Sequence, residues 1–215
     1  MTTMRIVRRL MVPAILGVVA LSMTATTAAA TTSGATLAPG AAGKPGTVAH
    51  ARSLGPLGPL TDLVIQRLLV GDQVAAAKFG TGQPIDDPVR EKQELAVVRQ
   101  SAMSLGISPD AAVSFFQQQI NASKVVQRGL FDRWTAHPDQ APTSRPDLGT
   151  IRTELDQLTT ELLQQLVAQQ SVLSHELGCR IDLILADVTG ALLSHLDALH
   201  RHALQVALSQ TCTGW

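Results

Sequence analysis

The chain has 215 residues, of which 45% are hydrophobic, 16% charged and 3% aromatic, with no tyrosine and with 17 basic side chains balancing 17 acidic ones. That length supports one domain, and a chain with no basic excess and few aromatic stacking platforms is not built to hold nucleic acid. The zero balance hides an asymmetry, because residues 1–30 hold three arginines (Arg5, Arg8, Arg9) and no acid, so a chain processed near residue 30 carries 14 positive charges against 17 negative.

Residues 1–30 have the form of an export signal: a basic start through Arg9, an apolar run from Leu10 to Met23, and small residues ending in Ala28-Ala29-Ala30. The run falls short of the ~20 residues that cross a bilayer and Pro13 interrupts it, so it reads as a cleaved leader rather than a retained anchor. Residues 31–59 are Ala, Thr, Gly, Pro and Ser with hardly a large apolar side chain before Leu54. Such a segment buries too little to offset its ordering entropy and reads as a spacer.

From residue 60 to 215 the pattern is helical. Leu63, Val64, Arg67, Leu68 and Val70 precede Gly71, and Val74 to Phe79 follow it. The stretch Asp87 to Leu105 ends at Gly106, a glycine stop, and Ser108-Pro109 then supplies a cap and a first-turn proline for a helix to about Trp134. After a loop from His137 to Gly149, Ile151, Leu155, Leu158, Leu162 and Leu166 recur at spacings of three and four, as do Ile181, Leu185, Val188, Leu192, Leu196, Leu199 and Leu208 with small slips. No stretch alternates with period two. The expectation is an all-α bundle of about five or six helices. Cys179 and Cys212 flank the last helical stretch, and an even cysteine count behind an export signal suggests a disulfide, with two free thiols as the alternative.

In a chain this poor in charge, ions inside apolar runs are informative. Arg67 and Lys78 are eleven residues apart, which returns to within ~20° of one helical face if the helix continues through Gly71. Each alone suits a snorkelling side chain; together they suit an anionic ligand. Asp87, Arg90 and Glu91 crowd one helix start, where Asp87 as cap and Glu91 as dipole partner is the structural reading. Ser123 and Gln127 share a face at i and i+4, with solvent exposure the default for the amide. Arg152 falls in the first turn of a long helix, where an anion would meet both the guanidinium and free amides. The six histidines form no metal-binding arrangement, and neither a glycine-rich phosphate loop nor a serine elbow occurs.

The order Arg67, Lys78, Pro84-Ile85-Asp86-Asp87 with Arg90-Glu91, then Ser123 with Gln127, resembles the all-helical chorismate mutases of the AroQ family. The leader, the later Arg152 after Pro146-Asp147-Leu148, and the cysteine pair resemble its secreted subgroup, including exported mycobacterial members. The similarity covers about residues 60 to 212. It implies a secreted or periplasmic isomerase that converts chorismate to prephenate by a Claisen rearrangement, without cofactor, metal or covalent intermediate, and with no membrane association after leader removal. It implies that Lys78 and Gln127 donate to the breaking ether oxygen, and that Arg67 and Arg152, with Arg90, clamp the substrate carboxylates. Ser123 then lies beside a carboxylate, while Glu91, helped by Asp87, binds the ring hydroxyl. Two positions depart from parts of the family: some secreted relatives carry glutamate in place of Gln127, and mycobacterial ones carry glutamine in place of Glu94, whose carboxylate would repel substrate unless an arginine pairs with it. Because Arg152 belongs to the same chain, each subunit could complete its own pocket; a homodimer is compatible with this and not required. The rival reading is a secreted helical interaction protein that keeps the fold without catalysis, which would have no reason to retain the cations.

Overall fold

The computed structural model describes residues 53–215. The expected leader and residues 31–52 of the expected spacer lie outside the described residues. Among those described there are seven α-helices, one 3-10 turn at Pro138–Gln140 and no strand. Six helices are long: α1 (Gly58–Lys78), α2 (Pro88–Leu105), α3 (Pro109–Ala136), α4 (Leu148–Ala168), α6 (Glu176–Leu193) and α7 (Ala198–Leu208). The single turn α5 (Gln170–Leu173) has no separate signature in the periodicity.

Helix α1 is the axis of the bundle. Leu60, Val64, Ile65, Leu68, Val70 and Ala75 are all buried against α3, α4, α6 and α7, and a narrow strip of Pro59, Asp62, Gln66, Leu69 and Gln73 reaches solvent. It runs unbroken through Gly71. An ideal Cβ on that glycine would lie 3.5 Å from Ser123 Oγ and 3.5 Å from Val126 Cγ1, so α3 passes close at this point. Phe115 and Phe116, fully buried on α3 and in edge-to-face contact, anchor the main core. A smaller apolar cluster of Val70, Ala77, Ile151 and Leu158, with Val74, Leu148 and Leu155 against it, joins α1 to α4.

The helix ends follow the residues expected to set them. Asp87 Oδ1 accepts from the Arg90 amide at 3.1 Å while the Asp87 amide donates to Glu91 Oε1 at 3.1 Å, a reciprocal capping box opening α2. Gly106 closes it at φ 71°, and Ser108 caps α3. Cys179 and Cys212 form a disulfide that ties α6 to the tail beyond α7.

Three expectations change. The packed body begins before residue 60: Leu57 is fully buried, Ser53 is buried with its amide on Asp62 Oδ1 at 3.0 Å, and the Leu54 amide donates to Thr189 Oγ1 at 2.9 Å. The packed body therefore includes residues 53–59. The run from Ile181 to Leu208 breaks into two helices at His195, whose φ of 51° takes the left-handed position that more often carries glycine, while the Leu196 amide returns to Ala191 O at 3.0 Å. Finally, Ile181, Leu185, Val188 and Leu192 do form a helical stripe, but they face outward.

Candidate active site

Four elements enclose a cavity of about 180 Å³: the C-terminal half of α1, the Gln83-Pro84 loop, the start of α2 and the first turns of α4. Val74, Leu148, Ile151 and Leu155, largely from the small apolar cluster, make its greasy wall, and Lys78, Arg90 and Arg152 bring three cations to it from three separate helices. Asp87 is its one acid. Larger hollows beside α6 and α7 contain one arginine each and no such gathering of cations.

Lys78 Nζ donates to Pro84 O at 3.0 Å and to Ile85 O at 3.3 Å. An ammonium has three N–H bonds, so the two that tie the loop back leave one for the cavity. Burial holds this ammonium below the usual lysine range; Asp87 opposes that shift and Arg152 adds to it. The loop is also pinned from outside. Asp86 takes both carboxylate oxygens to Arg128 Nη2, at 2.9 and 2.8 Å, and lies 3.2 Å from Lys124 Nζ; these bonds, Arg128 first, hold its carboxyl below the usual range. Lys124 also donates to Glu91 Oε2 at 2.7 Å. Its burial pulls its own pKa down, but the two carboxylates outweigh that and raise it.

Arg67 is buried and shares the Lys78 face of α1, but it does not line this cavity. Its guanidinium pairs with Glu94, donates to Leu155 O at 3.1 Å and Thr159 Oγ1 at 3.2 Å, and lies 5.9 Å above the Phe116 ring. Glu94 and Thr159 belong to a neighbouring hollow of about 500 Å³ between α2 and α4, and Arg90 lines both spaces. Arg90 itself is loosely held, 4.0 Å from Asp156. On α3, Gln127 Nε2 donates to Ser123 Oγ at 3.1 Å, and the amide is buried rather than solvated. Its Oε1 has no hydrogen-bond partner among the described residues, a deficit that costs about 1–3 kcal/mol.

Of the expected site residues, the cavity therefore brings together Lys78, Asp87, Arg90 and Arg152, while Arg67, Glu91, Ser123 and Gln127 lie off its wall. Glu91 is engaged through both oxygens, by the Asp87 amide and by Lys124. The expected amide cradle at Arg152 is absent: Asp147 caps α4, accepting from the Thr150 amide at 2.7 Å, and Arg152 follows at the second turn. Sequence reasoning missed Lys124, Arg128 and the Arg67 partner. Lys124 and Arg128 stand at i and i+4 on α3, a spacing that signals a shared face but not that Asp86 waits opposite.

Residues 59–128 match the family model for chorismate mutase type II. Over 164 residues the chain is 38% identical to the secreted chorismate mutase of Mycolicibacterium smegmatis, covering 76% of this chain and 90% of that protein. The chain belongs to the chorismate mutase family. The secreted chorismate mutase of Mycobacterium tuberculosis is 33% identical over 77% of this chain and 82% of its own. Among solved structures, a chorismate mutase from Burkholderia phymatum superposes with a TM-score of 0.70 at 34% identity, covering 74% of this chain and 97% of that one. The family match spans the residues that carry Arg67 to Gln127, whereas the cavity between α1, α2 and α4 also draws on Arg152, beyond the matched segment.

Proposed function

We propose that this chorismate mutase converts chorismate to prephenate in the cavity between α1, α2 and α4, and that the chain does so outside the cytoplasm. The observation that carries the site is the convergence of Lys78, Arg90 and Arg152 on an apolar wall with a single acid. A dicarboxylate gains most from cations set in a dry, preorganised pocket, and a pericyclic step needs no base. Catalysis then consists of holding the chair-like conformer and stabilising the charge that develops on the ether oxygen as its C–O bond breaks and the new C–C bond forms.

In this reading the free Lys78 N–H donates to that oxygen, assisted by the unused N–H of Gln127. Arg152 and Arg90 hold one carboxylate. Arg67 receives the other when it exchanges Glu94 for substrate, so the two adjoining hollows become one site. Ser123 orients the Gln127 amide, and Asp87 meets the ring hydroxyl with Glu91 fixing its helix start. All these groups belong to one chain, so one protomer suffices. Export is supported by the leader-like residues 1–30, by the Cys179–Cys212 bridge, and by the relatives named as secreted.

The test is the loss of chorismate absorbance with purified protein. We expect turnover far above the spontaneous rate and a 10²–10³-fold fall in kcat for Lys78→Ala, the magnitude of one preorganised oxyanion donor. A chain that does not accelerate the loss is the non-catalytic helical protein instead.

A further inference from the structure

The loop between α1 and α2 has little of its own to hold it. Phe79 fixes its start by packing edge-on against Phe131 and Trp134 of α3. Beyond that, Gly80 and Gly82 take φ of 70° and 77°, and of residues 80–87 only Ile85 is even partly buried. Glycines in that region leave a backbone many alternatives unless side chains tie it down. The next ties are local, the Thr81 amide and hydroxyl both donating to Lys78 O, at 3.1 and 2.6 Å. Among the described residues, Asp86 is the one side chain of residues 80–86 that bonds to another helix, through Arg128 and Lys124 of α3. Pro84 O and Ile85 O, which take two of the three Lys78 N–H bonds, directly precede it in the chain. A shift of Asp86 is therefore a shift of the acceptors that aim the third N–H.

We propose that Lys124 and Arg128 are positioning residues for the rearrangement: through Asp86 they fix the Pro84 and Ile85 carbonyls, and these hold the free N–H of Lys78 toward the reacting ether oxygen. This rests on the reading of Lys78 as a donor to that oxygen. Neither Lys124 nor Arg128 lines the cavity, so both act through the loop. Their place on α3 gives the clamp its use. Ser123 and Gln127 lie on the face that packs toward Gly71, and Lys124 and Arg128 each follow by one residue, about 100° further round. One stretch of one helix thus carries the Gln127 amide and holds the loop that orients Lys78. The two donors to one oxygen are set against a common rigid element, which is what preorganisation requires. Lys124 extends the clamp to α2 by donating to Glu91 Oε2 at 2.7 Å.

Folding gains little from these bonds. Arg128 and Asp86 are both 52% exposed, and exposed ion pairs contribute little to stability. Rate is far more sensitive, since a misplacement of ~1 Å can cost about 100-fold. Charge also separates position from field. Asp86 is an anion close enough to Lys78 to favour its ammonium, and on charge alone its removal would ease the build-up of negative charge on the ether oxygen. A fall in kcat on removing Asp86 therefore reports lost position.

Chorismate turnover by Asp86→Ala and Arg128→Ala, each alone and each combined with Lys78→Ala, tests this. Asp86→Ala should lower kcat about tenfold and Arg128→Ala, which leaves Lys124 in place, at least about threefold, with KM within about twofold of the parent. Melting temperatures should stay within about 2 °C. With Lys78→Ala already present, the same changes should cost less than about twofold, because the clamp acts through the ammonium. Arg99→Ala, which cuts a comparably exposed bridge from α2 to Asp110 at 2.8 Å, should keep the parental kcat. Clamp variants at the parental kcat beside a slow Lys78→Ala variant would overturn this proposal alone. So would losses as large with Lys78→Ala as without it, or an equal loss in Arg99→Ala, since the effect would then belong to the fold at large. A Lys78→Ala variant as fast as the parent would instead remove the reading of the site, and this proposal with it.

Discussion

Reducing the Cys179–Cys212 bridge should cost this protein much of its stability while leaving its chemistry intact. The two cysteines are 33 residues apart in sequence, so the bridge removes the freedom of a loop of that size from the unfolded chain. The loop-entropy relation places the effect at about 3.8 kcal/mol at 25 °C, a large share of the ~5–15 kcal/mol by which domains are stable. In a domain of this size each kcal/mol moves the melting temperature about 2–4 °C, so the midpoint should fall by about 8–15 °C. Both cysteines are buried, so Cys179→Ala with Cys212→Ala also removes core atoms. The cleaner comparison is parent protein refolded with and without reductant, which keeps both sulfurs. Melting followed by circular dichroism reads the shift, and chorismate turnover well below both midpoints reads function. Because the bridge joins α6 to the tail after α7, and the cavity is built by α1, α2 and α4, kcat should not change. A shift under about 3 °C would refute the loop-entropy reasoning. A rate lost while the fold persists would refute the separation of brace from site.

Gln127 needs no proton to donate, so turnover should show no titration from this group between about pH 6 and 8, whereas Gln127→Glu, a buried carboxyl that must stay protonated, should lose rate as pH rises through that window. Glu94→Gln should lower the KM for chorismate, by removing the anion that competes for Arg67, and lower stability in urea by about 2 kcal/mol, less than the ~3–5 of a fully orphaned buried charge because Leu155 O and Thr159 still accept from the guanidinium; an unchanged KM would show that Arg67 never meets substrate. His200 donates to Asp72 at 2.9 Å and pairs with Asp197 at 2.7 Å, and Asp72 first, with Asp197, raises its pKa against its burial. Its folded pKa exceeds the unfolded value of about 6.5, so its contribution is full below that pH and is lost as pH rises through the folded pKa. Melting temperatures at about pH 5.5 and 8.5 should therefore differ more in the parent than in His200→Gln.

The helical class and most helix ends were legible because they are local. Asp87, Gly106 and Ser108 act through residues within one turn, and a single chain segment contains cause and effect. The disulfide was legible from the even cysteine count behind a leader-like start, whereas the spacing of Arg67 and Lys78 leaves open whether α1 continues through Gly71, as it does. What stayed hidden depends on residues far apart in the chain. Glu94 looked like a charge that would repel substrate, and its role turns on Arg67, 27 positions away. Gln127 looked exposed until α1 was laid against it, and Asp86 looked unremarkable until Lys124 and Arg128 arrived from α3. The outward stripe on α6 shows the converse limit: spacing tells that a helix has an apolar face, but not what that face meets.

If Arg67 takes a substrate carboxylate as proposed above, Glu94 is the resting protein's own stand-in for half of the ligand. A buried guanidinium left bare would oppose folding until an anion arrived, tying maturation to the presence of metabolite. Here Glu94 pairs with the guanidinium before any ligand arrives. Recognition then becomes an exchange of one carboxylate for another. Affinity is set by the difference between two similar pairings, and selectivity rests on how well the incoming anion also fills the remaining cations.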